Sequence, residues 1–370
     1  MYSDKGEKVT IKARLMLVMG YLGAVVGAGF ASGQEIMQFF VNFGIYGFTG
    51  SMMATSLFAL LGGLLLYTTH KYKVYNYQDL LGCLLGRRMG KTIDSMIALF
   101  LFLGISTMLS ASGAVFSEHL YLSKYCGVFL AYVLIMVFLA TGKNGLIFSY
   151  NLLVPIKLVF LLLITGYAAI IMEVDKVDRL TTYTASSDAI LWPVAALLYV
   201  AYNFALAMVV LTEYTSVSNP RHGIMGAMWG GLVLGVLVIL SYLSLSKYLP
   251  QIAQYQVPML YITGRISIEV KAIYSLVLWV GILTTAFANA YGFAQRLARL
   301  TGLKYQACLF ASVTLALPLA TQSFSSLVGK IYPLFGLLGL VIVGALITKP
   351  TKDMLIQLYY NIGSHSHPRR

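Results

Sequence analysis

Residues 15–40 read LMLVMGYLGAVVGAGFASGQEIMQFF, an apolar run crossed by Gly20, Gly23, Gly27, Gly29 and Gly33 and closed by Ser32, Gly33, Gln34 and Glu35. Together with its flanks, this first run occupies about thirty residues. As one continuous helix it would extend ~45 Å at 1.5 Å per residue, well beyond a ~30 Å hydrocarbon core. Glycines 27 and 29, followed by Ala31 and Ser32, permit unwinding there, because glycine meets the least steric resistance outside helical geometry. The polar residues that follow would be costly against lipid, so an interruption facing a wet interior is the expected reading. Close helix packing through Gly23 and Gly27, four residues apart, is the competing one.

The rest of the chain is built of similar apolar runs. Of 370 residues, 59% are hydrophobic and 11% charged, and the mean hydropathy is +0.79. A soluble surface needs roughly a quarter of its residues charged, so this chain cannot form one and belongs in a bilayer. Ten candidate spans follow from the breaks between apolar runs: about 13–42, 47–69, 92–119, 125–141, 146–172, 189–214, 223–246, 269–295, 305–321 and 325–348. They form a single transmembrane domain over residues 1–370, with no second domain. The expected fold class is therefore an all-α membrane protein of ten transmembrane helices.

The net charge of +13 does not mark a nucleic-acid partner, because the Lys and Arg residues sit in the short breaks. With both termini cytoplasmic, far more of them lie on the cytoplasmic side than outside, as the positive-inside rule requires of a multi-pass cell-membrane protein. Segment 70–91, with Tyr72, Tyr75, Tyr77, Leu80 and Leu81 among basic residues, reads either as a surface amphipathic helix or as a solvated loop. Oligomeric state is not legible.

An odd number of spans in each half inverts the second half relative to the first. Spans one to five (about 13–172) and six to ten (about 189–348) then form an inverted repeat, with a binding site at the midplane between spans one and six. The sixth span, AILWPVAALLYVAYNFALAMVVLTEY (189–214), is the expected second discontinuous helix. It carries Pro193 near its entry and Asn203 mid-membrane beside Tyr199, Tyr202 and Phe204.

The stretch GAVVGAGFASGQE (23–35) resembles the first-helix signature of the YkvI-like membrane proteins, and the five-plus-five plan resembles the amino acid-polyamine-organocation superfamily with its LeuT-type fold. The resemblance implies a secondary transporter working by alternating access, for an amino acid or related carboxylate. A membrane receptor that binds such a ligand without moving it is the alternative reading. No enzyme constellation, phosphate-binding loop or metal-ligand cluster is present in the sequence, and no cofactor is expected beyond H+ or Na+ as coupling ion.

Unwinding over Val26, Gly27, Ala28 and Gly29 would leave the amides of Ala31, Ser32 and Gly33 at the start of an outer half-helix, where a carboxylate is favoured. The carbonyls of Gly23 and Val26 would present the opposite polarity to a cation. Side-chain selectivity then falls to Ser106, Thr107 and Ser110, and to Tyr199, Tyr202, Asn203 and Phe204. Hydroxyl residues in membrane helices also bond their own backbone, and aromatics also fill cores.

Gly281, Thr284 and Thr285 match the pattern that supplies oxygens to the sodium site in sodium-coupled members of the fold. Lys157, mid-span in LLVPIKLVFLLL, resembles the fifth-helix lysine of proton-coupled amino acid permeases. At the bilayer centre a lysine costs at least ~2.5 kcal/mol on insertion scales, so it must be paired, hydrated or functional. Proton coupling is the favoured reading, with sodium left open by the threonines. By analogy of depth, Glu35 and Lys330 are expected to form an ion pair closing the outer gate, against the plainer reading of two separate vestibule charges.

Overall fold

The computed structural model describes residues 2–140, 143–173, 190–216 and 218–365, and side chains over 14–140, 155–173, 190–216 and 218–352. Within the described residues the regular structure is helical throughout. The first apolar run divides into α1 (Tyr2–Val25), α2 (Ala28–Ala31) and α3 (Gln34–Phe39), with a 3-10 turn over Val41–Phe43. Then follow α4 (Tyr46–Tyr72), α5 (Tyr77–Leu85), α6 (Arg87–His119), α7 (Lys124–Ala140) and α8 (Lys143–Ile170). The second half holds α9 (Trp192–Leu211), α10 (Pro220–Ser246), α11 (Pro258–Ile266), α12 (Ile268–Thr301), α13 (Tyr305–Ala320) and α14 (Phe324–His365).

Among the described residues, each expected span coincides with helix. Six helical stretches are long and apolar enough to cross a membrane by length and composition, and four shorter apolar helices, Arg14–Val25, Lys124–Ala140, Pro155–Ile170 and Tyr305–Ala320, coincide with the other four. Segment 70–91 resolves in favour of the amphipathic helix. Asn76 accepts the amide of Asp79 at 2.8 Å and so starts α5, whose Leu80 and Leu81 are buried in the core beside α6. The nine-residue α11, with Pro258 at its first turn, is an element the span reading did not contain.

Helices α1, α4, α9 and α10 pack together as one bundle, and α6, α7, α12 and α13 as a second layer flanked by α8 and α14. The contacts recur in symmetry-related pairs, within and between the halves, as an inverted repeat demands. The packing of α4 on α9 is matched by α10 on α1, α6 on α7 by α12 on α13, and α6 on α14 by α12 on α8. Small residues make the closest approach possible: a Cβ on Gly231 of α10 would strike the backbone of Phe58 and Ala59 on α4, and one on Gly62 would meet Ala227.

One expectation fails. The sixth span is not discontinuous: α9 runs as an unbroken α-helix through Asn203 and tightens to a 3-10 turn only at Thr212–Ser216. The physical reason lies in Pro193 and Asn203. The proline stands in the first turn, where its missing N–H is no loss. The Asn203 amide donates to Tyr199 O at 3.1 Å within its own helix, so neither residue opens the backbone.

Candidate functional site

The first helix breaks at Val26–Gly27. Val26 N–H still reaches Leu22 O at 2.7 Å, but Gly27 N–H turns to Val25 O at 2.7 Å, and Ala31 N–H is the next to bond back, to Gly27 O at 3.0 Å. The carbonyls of Gly23 and Val26 are thereby passed over by the amides that would take them in a continuous helix. A second bend follows at Gly33, whose φ of 83° is a left-handed conformation open to glycine, and there the chain turns into α3.

The break is placed differently from the expected one, and its free amides differ with it. Ala31, Ser32 and Gly33 have their N–H groups taken by Gly27 O, Ala28 O and Phe30 O at 3.0, 2.8 and 2.9 Å. They cannot bind a substrate carboxylate. Their carbonyl side is tied down too: Tyr274 of α12 donates its hydroxyl to Ala31 O at 2.6 Å, and Met259 N–H of α11 donates to Ser32 O at 3.0 Å. The Ser32 hydroxyl is spent on Gly29 O at 2.8 Å.

Beside the break lies a cavity of about 520 Å³, lined by Gly23, Gly27, Lys157, Thr284, Thr285 and Asn289 around its deep part and by Met19, Gly20, Tyr77, Tyr214 and Arg296 farther out. It runs from the interruption toward the end of the bundle where α1 begins and α9 and α12 finish. The opposite end is filled by rings: Phe39 and Phe40 pack on Tyr199, and Tyr202 packs on Phe39 and Tyr332, with centroids 4.8 to 5.7 Å apart.

Lys157 is 4% exposed, and its stem passes over Gly281, where an added Cβ would stand 3.1 Å from Lys157 Cδ. Thr284 and Thr285 both donate their hydroxyls to Gly281 O, at 2.8 and 3.0 Å. Their remaining lone pairs are free to serve a cation or a solute donor. Of the expected ion-coupling residues, Gly23, Lys157, Thr284 and Thr285 line one cavity, Gly281 is tied to them through its carbonyl and the lysine stem, and Val26, fully buried, is not in the lining.

Of the expected selectivity residues, none on α6 lines the cavity. Thr107 bonds Leu103 O at 2.9 Å within its own helix, and Ser110 bonds Gln322 O at 2.6 Å across to the α13–α14 turn. Ser106 is fully buried with no hydrogen-bond partner for its hydroxyl. Phe204 is plain core, and Tyr199 belongs to the aromatic plug with its hydroxyl unpaired.

The outer gate pair does not exist in this structure. Lys330 is exposed on α14, while Glu35 is 3% exposed and turned inward. The left-handed turn at Gly33 sends Glu35 back along the chain over Gly29. There its carboxylate accepts the Tyr202 hydroxyl, the Asn203 side chain and the Phe30 amide. Gly29 is what makes room, since an added Cβ would overlap Glu35 Oε1 and stand 3.0 Å from Cδ. Depth along the sequence placed both charges near the same end but could not show which way the chain turned between Gly33 and Glu35.

A third cluster was not read from sequence. Arg296 of α12 donates to Asp94 of α6 at 2.8 Å and to the Tyr77 hydroxyl of α5, and Tyr77 donates to the same Asp94 oxygen at 2.8 Å. It joins three helices at the outer part of the cavity. Burial, with the hydrogen bond to Asp94, pushes the Tyr77 phenol up to about 12.

A multi-pass helical membrane protein with its first helix broken beside a buried lysine and a hydroxyl pair has the architecture of the LeuT-type fold. The chain is similar to solved structures of Mhp1, a nucleobase-cation-symport-1 family transporter. Its closed conformation with bromovinylhydantoin bound gives a TM-score of 0.57 at 15% identity, covering 90% of this chain and 76% of that one. The inward-facing conformation gives 0.61 at 14%, covering 92% and 75%. At such identity the likeness shows the fold. No family model matches the chain. Two Bacillus subtilis (strain 168) proteins are related along nearly their whole length. One, named uncharacterized membrane protein YkvI, is 32% identical over 337 residues, 90% of this chain and 95% of the relative. The other, named uncharacterized protein YyaD, is 22% identical over 343 residues, 92% and 97%. The chain belongs to the family of the YkvI membrane protein.

Proposed function

We propose that this protein is a secondary active transporter of a small carboxylate-bearing solute, an amino acid or a close relative, coupled to H+ in preference to Na+. The observation that carries the reading is the cavity itself. It opens beside an interrupted helix, it is of a size that encloses a small metabolite, and its lining includes the cation Lys157 and no acidic side chain, its other cation, Arg296, being paired with Asp94. A lysine ammonium that meets no carboxylate within ion-pair distance attracts a solute of the opposite sign. An anionic group is therefore the natural ligand, attracted by side chains and not, as the sequence reading had it, by backbone amides.

The proton is favoured because Lys157 shares the cavity with Thr284 and Thr285. A lysine ammonium repels sodium from the oxygens that would otherwise hold it, whereas loss and regain of a proton lets one residue alternate between charged and neutral. With both termini cytoplasmic, as the charge distribution supports, the cavity faces inward and the aromatic plug lies on the outside. Residues 1–370 then act as one transport unit of two inverted halves.

Purified protein in sealed liposomes, under an imposed proton or sodium gradient, should accumulate a labelled amino acid mixture only when the proton gradient is present. Lys157→Ala should abolish that accumulation and leave counterflow exchange at zero gradient weakened but measurable. Survival of proton-driven uptake in that variant would refute the coupling role. Binding of the mixture by the wild type without accumulation or exchange would replace the transporter with a receptor.

A further inference from the structure

The buried carboxylate of Glu35 is accounted for neither by a gate nor by the cavity lining. Its surroundings show what it does. On one side it accepts three hydrogen bonds, from Tyr202, Asn203 and Phe30. On the other, Lys157 of α8 acts on it through space, yet no ion pair within 4.0 Å joins them. The remaining titratable groups that face it are phenols: Tyr199 and Tyr202 of α9 and Tyr332 of α14. No second acid faces it among the described residues.

Access is asymmetric. Glu35 is walled from the outer end by Phe39, Tyr199, Tyr202 and Tyr332, and it is absent from the cavity lining, whereas Lys157 is in that lining. Among the described residues, Lys157 is thus the one titratable side chain that both lines the cavity and acts on the carboxylate. Its flexible four-carbon stem rests on Gly281, where no side chain obstructs movement.

We infer that Glu35 and Lys157 form one proton-binding unit, in which Glu35 holds the transported proton and Lys157 passes it between the carboxylate and the cavity. The inference deepens the transport reading and rests on it. In the transfer step an N–H bond of the Lys157 ammonium breaks and an O–H bond forms on Glu35, leaving a neutral amine and a neutral acid. A cavity water then restores the ammonium from solvent. The separation is bridged by the swing of the lysine stem or by one water, and Tyr202 and Asn203 hold the carboxylate in place to receive the proton. A buried carboxylate and ammonium that lack direct contact are costly to keep charged, so the neutral pair is an accessible state.

The test compares wild type with Glu35→Gln, Glu35→Asp, Lys157→Ala and the Glu35→Gln/Lys157→Ala double variant, all reconstituted. The probes are an equimolar mixture of the twenty labelled amino acids, and a trapped pH dye that reports protons entering with them. Glu35→Gln should lower proton-driven accumulation and the dye signal at least tenfold while counterflow of the same mixture stays within a few-fold. Glu35→Asp should restore part of both. The double variant should be no worse than either single one, because the two residues act as a unit. A second readout needs no solute. Infrared difference spectra across a pH titration should show a buried carboxylic acid band that is missing in Glu35→Gln and whose midpoint moves in Lys157→Ala. Full proton-driven uptake in Glu35→Gln, additive losses in the double variant, or an unmoved carboxyl band would each overturn the inference. Wild-type exchange without proton coupling would sink it and leave the transporter standing. Absence of exchange in the wild type would instead refute the transport reading itself.

Discussion

Gly27 and Gly29 stand two residues apart in the same interrupted stretch, and a methyl group added to each meets different surroundings. At Gly27 the backbone is extended, with φ −81° and ψ −170°, and the nearest atom to a new Cβ is Val25 O at 3.9 Å. Alanine fits there without a clash. At Gly29 the new Cβ would overlap Glu35 Oε1 and lie 3.0 and 3.1 Å from Cδ and Cγ. The carboxylate must retreat, and the bonds from Tyr202, Asn203 and Phe30 cannot all survive. One hydrogen bond to a charged group is worth ~1.5–3 kcal/mol, and a buried partner left unpaired costs a similar amount. Gly29→Ala should therefore destabilise the protein by about 2–4 kcal/mol, whereas Gly27→Ala, at the residue preceding α2, should cost under about 1 kcal/mol. Reversible unfolding of the detergent-solubilised protein measures both. The penalty at Gly29 should shrink to the Gly27 level in a Glu35→Ala background, as a double-mutant cycle requires of a direct contact. Equal penalties at the two glycines, or a Gly29 penalty undiminished without Glu35, would refute the placement of the carboxylate.

Lys330→Ala should change stability by no more than ~0.5 kcal/mol and leave counterflow unaltered, because the side chain is exposed and has no ion-pair partner among the described residues; a loss of exchange would revive the gate. Tyr77 is held neutral up to about 12, against 10.0 for a free phenol. Its contribution to stability is complete below pH 10 and is lost as pH rises toward 12, since the unfolded chain ionises first. Tyr77→Phe should flatten that part of the stability–pH curve, read by unfolding at pH 8 to 12. Lys247 donates to Ala168 O, Ala169 O and Met172 O at 2.9, 2.7 and 3.0 Å, closing the last turn of α8. Lys247→Met should cost about 1–3 kcal/mol, and unchanged unfolding would show that water replaces it.

Hydrophobic run length and the glycine cluster made the membrane class, the places of the spans and the weakness of the first helix readable. Those features depend on local composition. What sequence could not supply was direction. The carbonyls of Gly23 and Val26 are released because that follows from where α1 stops. The amide side shifted because α2 starts at Ala28, three residues before the expected outer half-helix. Glu35 was misplaced for a related reason: a single left-handed residue at Gly33 decides whether the next turn points out to a vestibule or back to Tyr202. Asn203 looked like a break because a polar side chain mid-membrane demands partners, and it found them in Tyr199 O and Glu35 without disturbing α9. Ser110 went to the Gln322 carbonyl, a residue 212 positions away, which no local pattern announces. Likewise, the union of Tyr77, Asp94 and Arg296 needs three helices in register before it exists.

Helix α12 grips the broken first helix at one end and stands beside Lys157 farther along. Tyr274 holds Ala31 O, and Gly281 and Thr284 stand beside Lys157 seven and ten residues later, roughly 10 and 15 Å down the same rod at helical rise. A stiff rod transmits displacement from one point to the other. A displacement of Ala31 that pulls on Tyr274 is thereby carried along α12 to the threonine pair, and on the transport reading proposed above the two ends of the rod would move as a single mechanical event.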